Sequence, residues 1–282
     1  MLSPADPSPP DPSRSQLSSP SPQSARSGRV CLVGAGPGSP DLITVRGLKS
    51  LQTADAVLYD ALVAPELLQE ARPDALLLSV GKRGYCIGST RQETIHESLV
   101  RLARMGLHVC RLQCGDPCIF GRGGEEAQFL AEAGIPYQII PGVTSALGAA
   151  AEAYIPLTHR AVGSTITLVT GHRDPESPEC TLDWPTLAKL PTLAFYMGGR
   201  NLAGIAQRLI GSGMLPDTPI AVIESGTLPG QILHISDLVR LQFAPPSFSG
   251  KPTLLIVGQV VAYREKLLEL HLTKSAWEGA FA

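Results

Sequence analysis

The sequence predicts an α/β protein of two domains. From Arg29 onward, short β-branched runs alternate with longer helical patterns, the rhythm of a parallel sheet with crossover helices. Glycine-rich junctions follow the strand-like runs rather than interrupt them. The chain has 282 residues, more than one average domain, and its apolar content of 44% is ample for a buried core.

Residues 1–28 are dominated by Ser and Pro, carry Asp6 and Asp11 beside Arg14 and Arg26, and hold no apolar stretch. Such a leader is expected to be disordered. It lacks the apolar segment of a secretory signal, and its acids count against an organellar transit peptide. Strands are expected at 30–33, 56–59, 76–80, 109–112 and 137–140, with helices at 44–53, 91–105 and 124–133. Thr44 and Thr90 read as N-caps, and Gly106 and Gly134 as C-terminal stops. These elements make a first domain, 29–143. After Pro141-Gly142, a run of small residues at 143–153 reads as a connecting helix; 144–164 is the connecting segment, and the connection near residues 142–160 is expected to floor an interdomain cleft. A second series of strands at 165–169, 192–197, 220–223, 231–235 and 254–257, with helices near 202–210 and 237–241, makes a second α/β domain, 165–270, before a tail, 271–282.

The net charge of −2 gives no bulk attraction to nucleic acid or an anionic membrane, so an acidic substrate has to be met by local arginines. No run of about 18 apolar residues is present, which excludes a spanning helix. Of the six cysteines, Cys31 and Cys110 lie inside apolar runs, as reduced core thiols of a cytoplasmic protein do. Cys110, Cys114 and Cys118 fall four apart, but Gly115-Asp116-Pro117 interrupts any helix that would align them, and no metal site is expected.

The segment Gly115-Asp116-Pro117-Cys118-Ile119-Phe120-Gly121-Arg122-Gly123-Gly124-Glu125-Glu126 places five ionisable side chains and four glycines in twelve positions. So many permissive positions beside charges point to backbone brought close to a ligand. Gly34-Ala35-Gly36-Pro37-Gly38 follows the first strand as a dinucleotide fingerprint would. Pro37 and Pro40, however, remove backbone donors a pyrophosphate would use, and no glycine occupies the third fingerprint position. As a cleft wall, the strand ends collect Pro37, Asp60, Lys82 with Arg83, and Gly115-Asp116, all at the carboxyl ends where open α/β sheets bind ligands.

Nine blocks in order carry a resemblance: Val33-Gly34-Ala35-Gly36-Pro37-Gly38; Tyr59-Asp60; Gly81-Lys82-Arg83; Gly115-Asp116-Pro117 with Phe120-Gly121-Arg122-Gly123-Gly124-Glu125-Glu126; Pro141-Gly142-Val143-Thr144-Ser145-Ala146; Ile155-Pro156-Leu157-Thr158-His159-Arg160; Val169-Thr170-Gly171-His172; Phe195-Tyr196-Met197-Gly198; and Glu224-Ser225-Gly226-Thr227. The chain resembles the uroporphyrinogen-III C-methyltransferases of the tetrapyrrole methylase family from Arg29 to about Leu268. The resemblance implies the two-domain tetrapyrrole methylase fold with its cleft between two α/β domains. It also implies S-adenosylmethionine (SAM) as methyl donor, two successive methylations of uroporphyrinogen III to precorrin-2, and a homodimer. A methylase of a later precorrin, or an inactive SAM-binding homologue, is the alternative.

By the same resemblance, Pro37, Cys114, Gly115, Asp116, Ile119, Thr144, Ser145, Met197 and Gly226 fall at SAM-contacting positions. Asp60 and Lys82 match a proton acceptor and a proton donor, while Arg122, Glu125, Arg160 and Met197 match substrate-side positions, Arg122 counted among the catalytic set. The residues support this independently: a tetrapyrrole bearing many carboxylates needs bidentate cations, and Arg122 and Arg160 come from separate parts of the chain. The chain departs from the family pattern at Gln113, Cys114 and Cys118, where Lys, Gly and Phe are usual. The Cys114 thiol is therefore expected to border the cofactor and to react with alkylating agents when the cofactor is absent.

Overall fold

A computed structural model of the chain describes residues 28–81, 92–247 and 249–273. The leader, Lys82, Arg83 and the Thr90 cap lie outside the described residues. The first sheet comprises β1 (Arg29–Gly34), β2 (Ala56–Tyr59), β3 (Leu76–Ser79), β4 (His108–Gln113) and β5 (Tyr137–Ile140) in the order β3-β2-β4-β1-β5, with every pairing parallel. Its helices are α1 (Val45–Gln52), α2 (Pro65–Leu68), α3 (Gln92–Arg104) and α4 (Gly123–Glu132). The period of two along each strand divides the core. Val30, Leu32, Leu58 and Val109 pack with Leu99 of α3 and Leu130 of α4, whereas Val33, Val57, Cys110 and Leu112 pack with Leu51 of α1 and Leu67 of α2. Thr44 caps α1 by accepting from Gly47 N, and Gly106 and Gly134 take positive φ where α3 and α4 end.

This layering positions the site. The chain leaves β1 for the α1 face and leaves the adjacent β4 for the α4 face, so their carboxyl ends diverge and open a crevice.

The second sheet comprises β6 (Thr167–Thr170), β7 (Leu193–Tyr196), β8 (Pro219–Glu224), β9 (Ile232–Asp237) and β10 (Thr253–Val257) in the order β6-β7-β10-β8-β9. It is mixed, not parallel: β6 and β7 are parallel, and β10 and β9 run antiparallel to their neighbours. Residues 225–231 are too few for a helical crossover, so β9 has to return as a hairpin partner of β8. One face, with Phe195, Val222 and Leu255, packs on α6 (Trp184–Leu187), α7 (Leu202–Gly211) and α8 (Leu238–Phe243). The other face, with Ala194, Tyr196, Ala221 and Ile223, is covered by α5 (Ser145–Glu152), whose alanines permit close approach. The four-residue α2 and α6, each opening with proline near its first position, carry too little periodicity to read from sequence. The chain closes with α9 (Tyr263–Thr273), which the sequence reading did not distinguish.

Candidate active site

Three glycines lock the loops beyond β1, β4 and β5 together. A Cβ at Gly34 would lie 2.5 Å from Gly142 N and 2.6 Å from Gly115 O, and one at Gly142 would lie 2.3 Å from Gly115 O. Gly36 and Gly115 also form a two-bond bridge, Gly115 N donating to Gly36 O at 2.7 Å. The fingerprint-like glycines thus serve backbone–backbone contact. Asp116 staples the same junction, its Oδ1 accepting from Cys118 N at 2.8 Å and its Oδ2 from Gly142 N at 3.0 Å. Gln113 holds the far side of the loop by donating to Gly121 O at 2.6 Å. Around Gly115 itself there is no crowding: the nearest atoms to a Cβ there would be Ser145 Oγ, Ser145 N and Thr144 Cα, in ordinary contact at 3.8–3.9 Å. Its glycine is required by φ of +73° and not by crowding.

Beside this junction lies a charged chain that sequence reading missed. Arg111 is the register partner of Leu32 and Leu58 and so points into the α3–α4 core. Its Nη1 meets Asp60 Oδ1 at 2.7 Å and its Nε meets Glu126 Oε1 at 3.1 Å. Side-chain exposure rises along the chain from 0% at Glu126 through 4% at Arg111 to 30% at Asp60. Burial alone would lower the Arg111 pKa, but the two carboxylates outweigh it and hold the guanidinium charged. Burial pushes the Glu126 carboxyl up, with Arg111 partly opposing. Gln92 Nε2 adds a bond to Glu126 Oε1 at 3.1 Å. Gly81 packs on Asp60, since a Cβ there would lie 2.4 Å from Ala61 N. The signal for this chain was an arginine inside the apolar run of a central parallel strand, where charge is disfavoured unless paired.

The second half of the molecule closes over the same end. Ser39 N donates to Thr227 Oγ1 at 3.0 Å, and Gly148 of α5 packs so closely on Pro37 that a Cβ would lie 2.5 Å from Pro37 Cγ. Gly226 allows an equally close approach to Ala149. Thr144 does not cap α5 with its own side chain. It bonds Tyr196 OH at 2.7 Å, and that hydroxyl accepts from Ala146 N at 3.1 Å, so a residue of the second sheet supplies the cap. Burial pushes the Tyr196 hydroxyl above its ordinary pKa. Ile119 packs against the α5 core and Phe120 against the Tyr196 ring, 5.0 Å between centroids.

Five non-glycine residues hold left-handed backbone around this cleft: Phe120, Arg122, Met197, Ser225 and Thr227. Such conformations cost energy and cluster at ligand sites. Met197, just past β7, is 47% exposed. Arg122 and Glu125 form an exposed bidentate pair, with Nε–Oε1 at 3.0 Å and Nη2–Oε2 at 2.6 Å. Arg160 is exposed on a tight turn closed by His159 and Gly163, with no partner among the described residues. At Cys114 burial pushes the thiol up to about 11, and its sulfur faces Pro37 O. His159 Nδ1 accepts from Ala161 N and His172 Nδ1 bonds Thr170, which are structural uses. Lys82 lies outside the described residues. Concavities flanking Arg29 lie at the amino ends of the strands and contain none of these groups.

The sequence pattern of the Tetrapyrrole (Corrin/Porphyrin) Methylases matches residues 29–242. Siroheme synthase 2 of Yersinia pestis is 50% identical over 235 residues, which is 83% of this chain and 49% of that protein. Siroheme synthase of Neisseria meningitidis is 47% identical over 246 residues, 87% of this chain and 50% of its own length. The chain thus spans about half the length of the curated relatives it matches. Among solved structures, the uroporphyrin III C-methyltransferase of Thermus thermophilus superposes with a TM-score of 0.72 at 37% identity, covering 84% of this chain and all of that one. The same enzyme has been solved with S-adenosylhomocysteine. A cobalt precorrin-4 methyltransferase superposes with a TM-score of 0.73 at 30% identity, over 86% of this chain and 99% of that one. The parallel sheet with its glycine-locked loops, the mixed sheet closing over it and these likenesses agree: the chain belongs to the tetrapyrrole methylase family.

Proposed function

We propose that the chain is a SAM-dependent C-methyltransferase that converts uroporphyrinogen III to precorrin-2 by two successive methylations. The observation that carries this reading is Asp60, a carboxylate at the partly open end of a sealed Arg111–Glu126 pair, beside the glycine-locked loops. Those loops fit SAM: a Cβ at Gly115 would meet nothing closer than 3.8 Å, and the half-buried Ser145 hydroxyl beside it makes no hydrogen bond among the described residues. Pro37, Cys114, Gly115, Asp116, Ile119, Thr144, Ser145, Met197 and Gly226 would hold it. When bound, SAM supplies a methyl group already activated by its sulfonium, so the protein contributes alignment and proton removal rather than a nucleophile.

The chain's own residues then divide the work. Asp60 takes the proton that leaves the methylated pyrrole carbon, and Lys82, which follows Gly81 in sequence, serves as proton donor. Arg122 and Arg160 grip carboxylates on separate sides of the ring, Glu125 pre-orients Arg122, and Met197 lines the substrate side. In this reading, domains 29–143 and 165–270 meet through 144–164, and the protein acts as a cytoplasmic homodimer. Precorrin-2 would feed sirohaem, cobalamin or haem d1 formation. Anaerobic incubation with uroporphyrinogen III and SAM, followed by mass spectrometry, should show two added methyl groups. An unmodified tetrapyrrole in the presence of bound SAM would refute the activity, and methyl transfer only to a later precorrin would reassign the substrate.

A further inference from the structure

We infer that Glu126 is a positioning residue for methyl transfer, acting through Arg111 on Asp60; this rests on the reading of Asp60 as the proton acceptor. Arg111 enters from β4, Asp60 from the end of β2, and Glu126 from the first turns of α4, so three separately placed elements meet in one line of contacts. A guanidinium attached to a long flexible stem has many rotamers. Glu126 Oε1 at Nε, together with the carbonyl of Leu112 at 3.4 Å from Nη1, leaves Arg111 one orientation, with Nη1 directed at Asp60.

Stability does not explain the arrangement. A buried ion triad is often replaceable by packed apolar residues without loss, because desolvation consumes most of the Coulombic gain. Here the sealed end is a fully buried carboxylate, while the other end opens at the cleft. Gln92 of α3 fixes Glu126 in turn through Oε1, and its amide also lies 3.2 Å from His96 Nε2. Glu126 Oε2 has no partner among the described residues, so both bonds that hold the carboxyl converge on the oxygen facing Arg111. Support of this kind behind a reacting group holds its geometry more closely than the group's own backbone can.

The test is a double-mutant cycle on the full chain. Glu126→Gln should lower kcat by about tenfold or more while leaving the SAM dissociation constant and KM unchanged, because no substrate or cofactor contact is removed. Asp60→Asn should lower kcat by roughly a hundredfold or more. The double variant Glu126→Gln/Asp60→Asn should be no slower than Asp60→Asn alone, since Glu126 has nothing left to position. An unchanged kcat in Glu126→Gln overturns the inference. So does a double variant slower by the product of the two single effects, which is what a merely structural role would give. If Glu126→Gln fails to fold, Arg111→Lys, which keeps the charge but not the fork, takes its place in the same cycle. Full turnover in Asp60→Asn would instead overturn the reading of Asp60 itself.

Discussion

Glu125 and Glu126 are neighbours at the start of α4, yet Glu125 pairs with Arg122 in solvent while Glu126 is sealed against Arg111. A turn of about 100° per residue carries one outward and the other into the core. The Arg122 guanidinium holds the Glu125 carboxyl below the ordinary range, whereas burial pushes Glu126 above it. Identical side chains thus take opposite electrostatic roles. The outer pair lies open to solvent, and the inner pair is held in place by a further bond from Gln92.

The largest contrast should come from removing each arginine. Arg111→Met leaves two carboxylates facing each other near the core and should cost about 3–5 kcal/mol of unfolding free energy, measurable by denaturant titration. Arg122→Ala should leave the unfolding midpoint unaltered and SAM binding nearly unchanged, but reduce turnover by about one to two decades, the worth of a charge-assisted contact to substrate. Arg111→Met as stable as the parent, or Arg122→Ala with unaltered kinetics, would erase the distinction between inner and outer pairs.

The adjacent glycines offer a sharper version. A Cβ at Gly123 would lie 2.6 Å from Pro117 O, whereas one at Gly124 meets nothing within 4 Å. Gly123→Ala should cost about 1–3 kcal/mol. Gly124→Ala should gain about 0.5–1 kcal/mol by reducing the freedom of the unfolded chain. Thermal unfolding of both variants decides it; equal effects would mean that the loop relaxes around either methyl.

The two glutamates also predict opposite pH slopes. Glu126 binds its proton more tightly folded than unfolded, so its contribution is fully present below the ordinary value of 4.5 and is lost as pH rises from there through its raised value. Glu125 is lowered, so its contribution is present above 4.5 and is lost as pH falls through its lowered value. Stability measured against pH should therefore rise with pH above 4.5 in Glu126→Gln relative to the parent, and a constant difference would contradict the assignment. The smallest effect concerns the thiols. Neutral alkylation should label the exposed Cys118 well before Cys114, whose thiol is pushed up to about 11, and equal labelling would show that the loop opens in solution.

Much of this architecture was legible in the chain. The first five strands fall within two residues of their expected ends, because β-branched runs bounded by turn residues are a local signal. The glycine-rich segment after β4 does meet the loops beyond β1 and β5, where Gly34 and Gly142 permit the close backbone approach and Gly115 the positive φ. Arg111 escaped notice inside a run read as apolar. Tyr196 stands in a motif with no local sign that its hydroxyl caps a helix some fifty residues away in sequence. The second series reads only as an α/β domain, although the short 225–231 connection already forbids a parallel β8–β9 pair.

What the sequence determined by itself is the local pattern: strand and helix positions, the permissive loop and the reservoir of charges. These follow from periodicities of two and 3.6 residues and from the backbone freedom of glycine, which act within a few positions. Only the tertiary structure decided that Arg111 joins Asp60 to Glu126, that Tyr196 caps α5 and that the second sheet is mixed. Each depends on strand register, on the rotation of a helix about its axis or on the meeting of two layers. Those are settled by the burial of whole surfaces, to which distant parts of the chain contribute together.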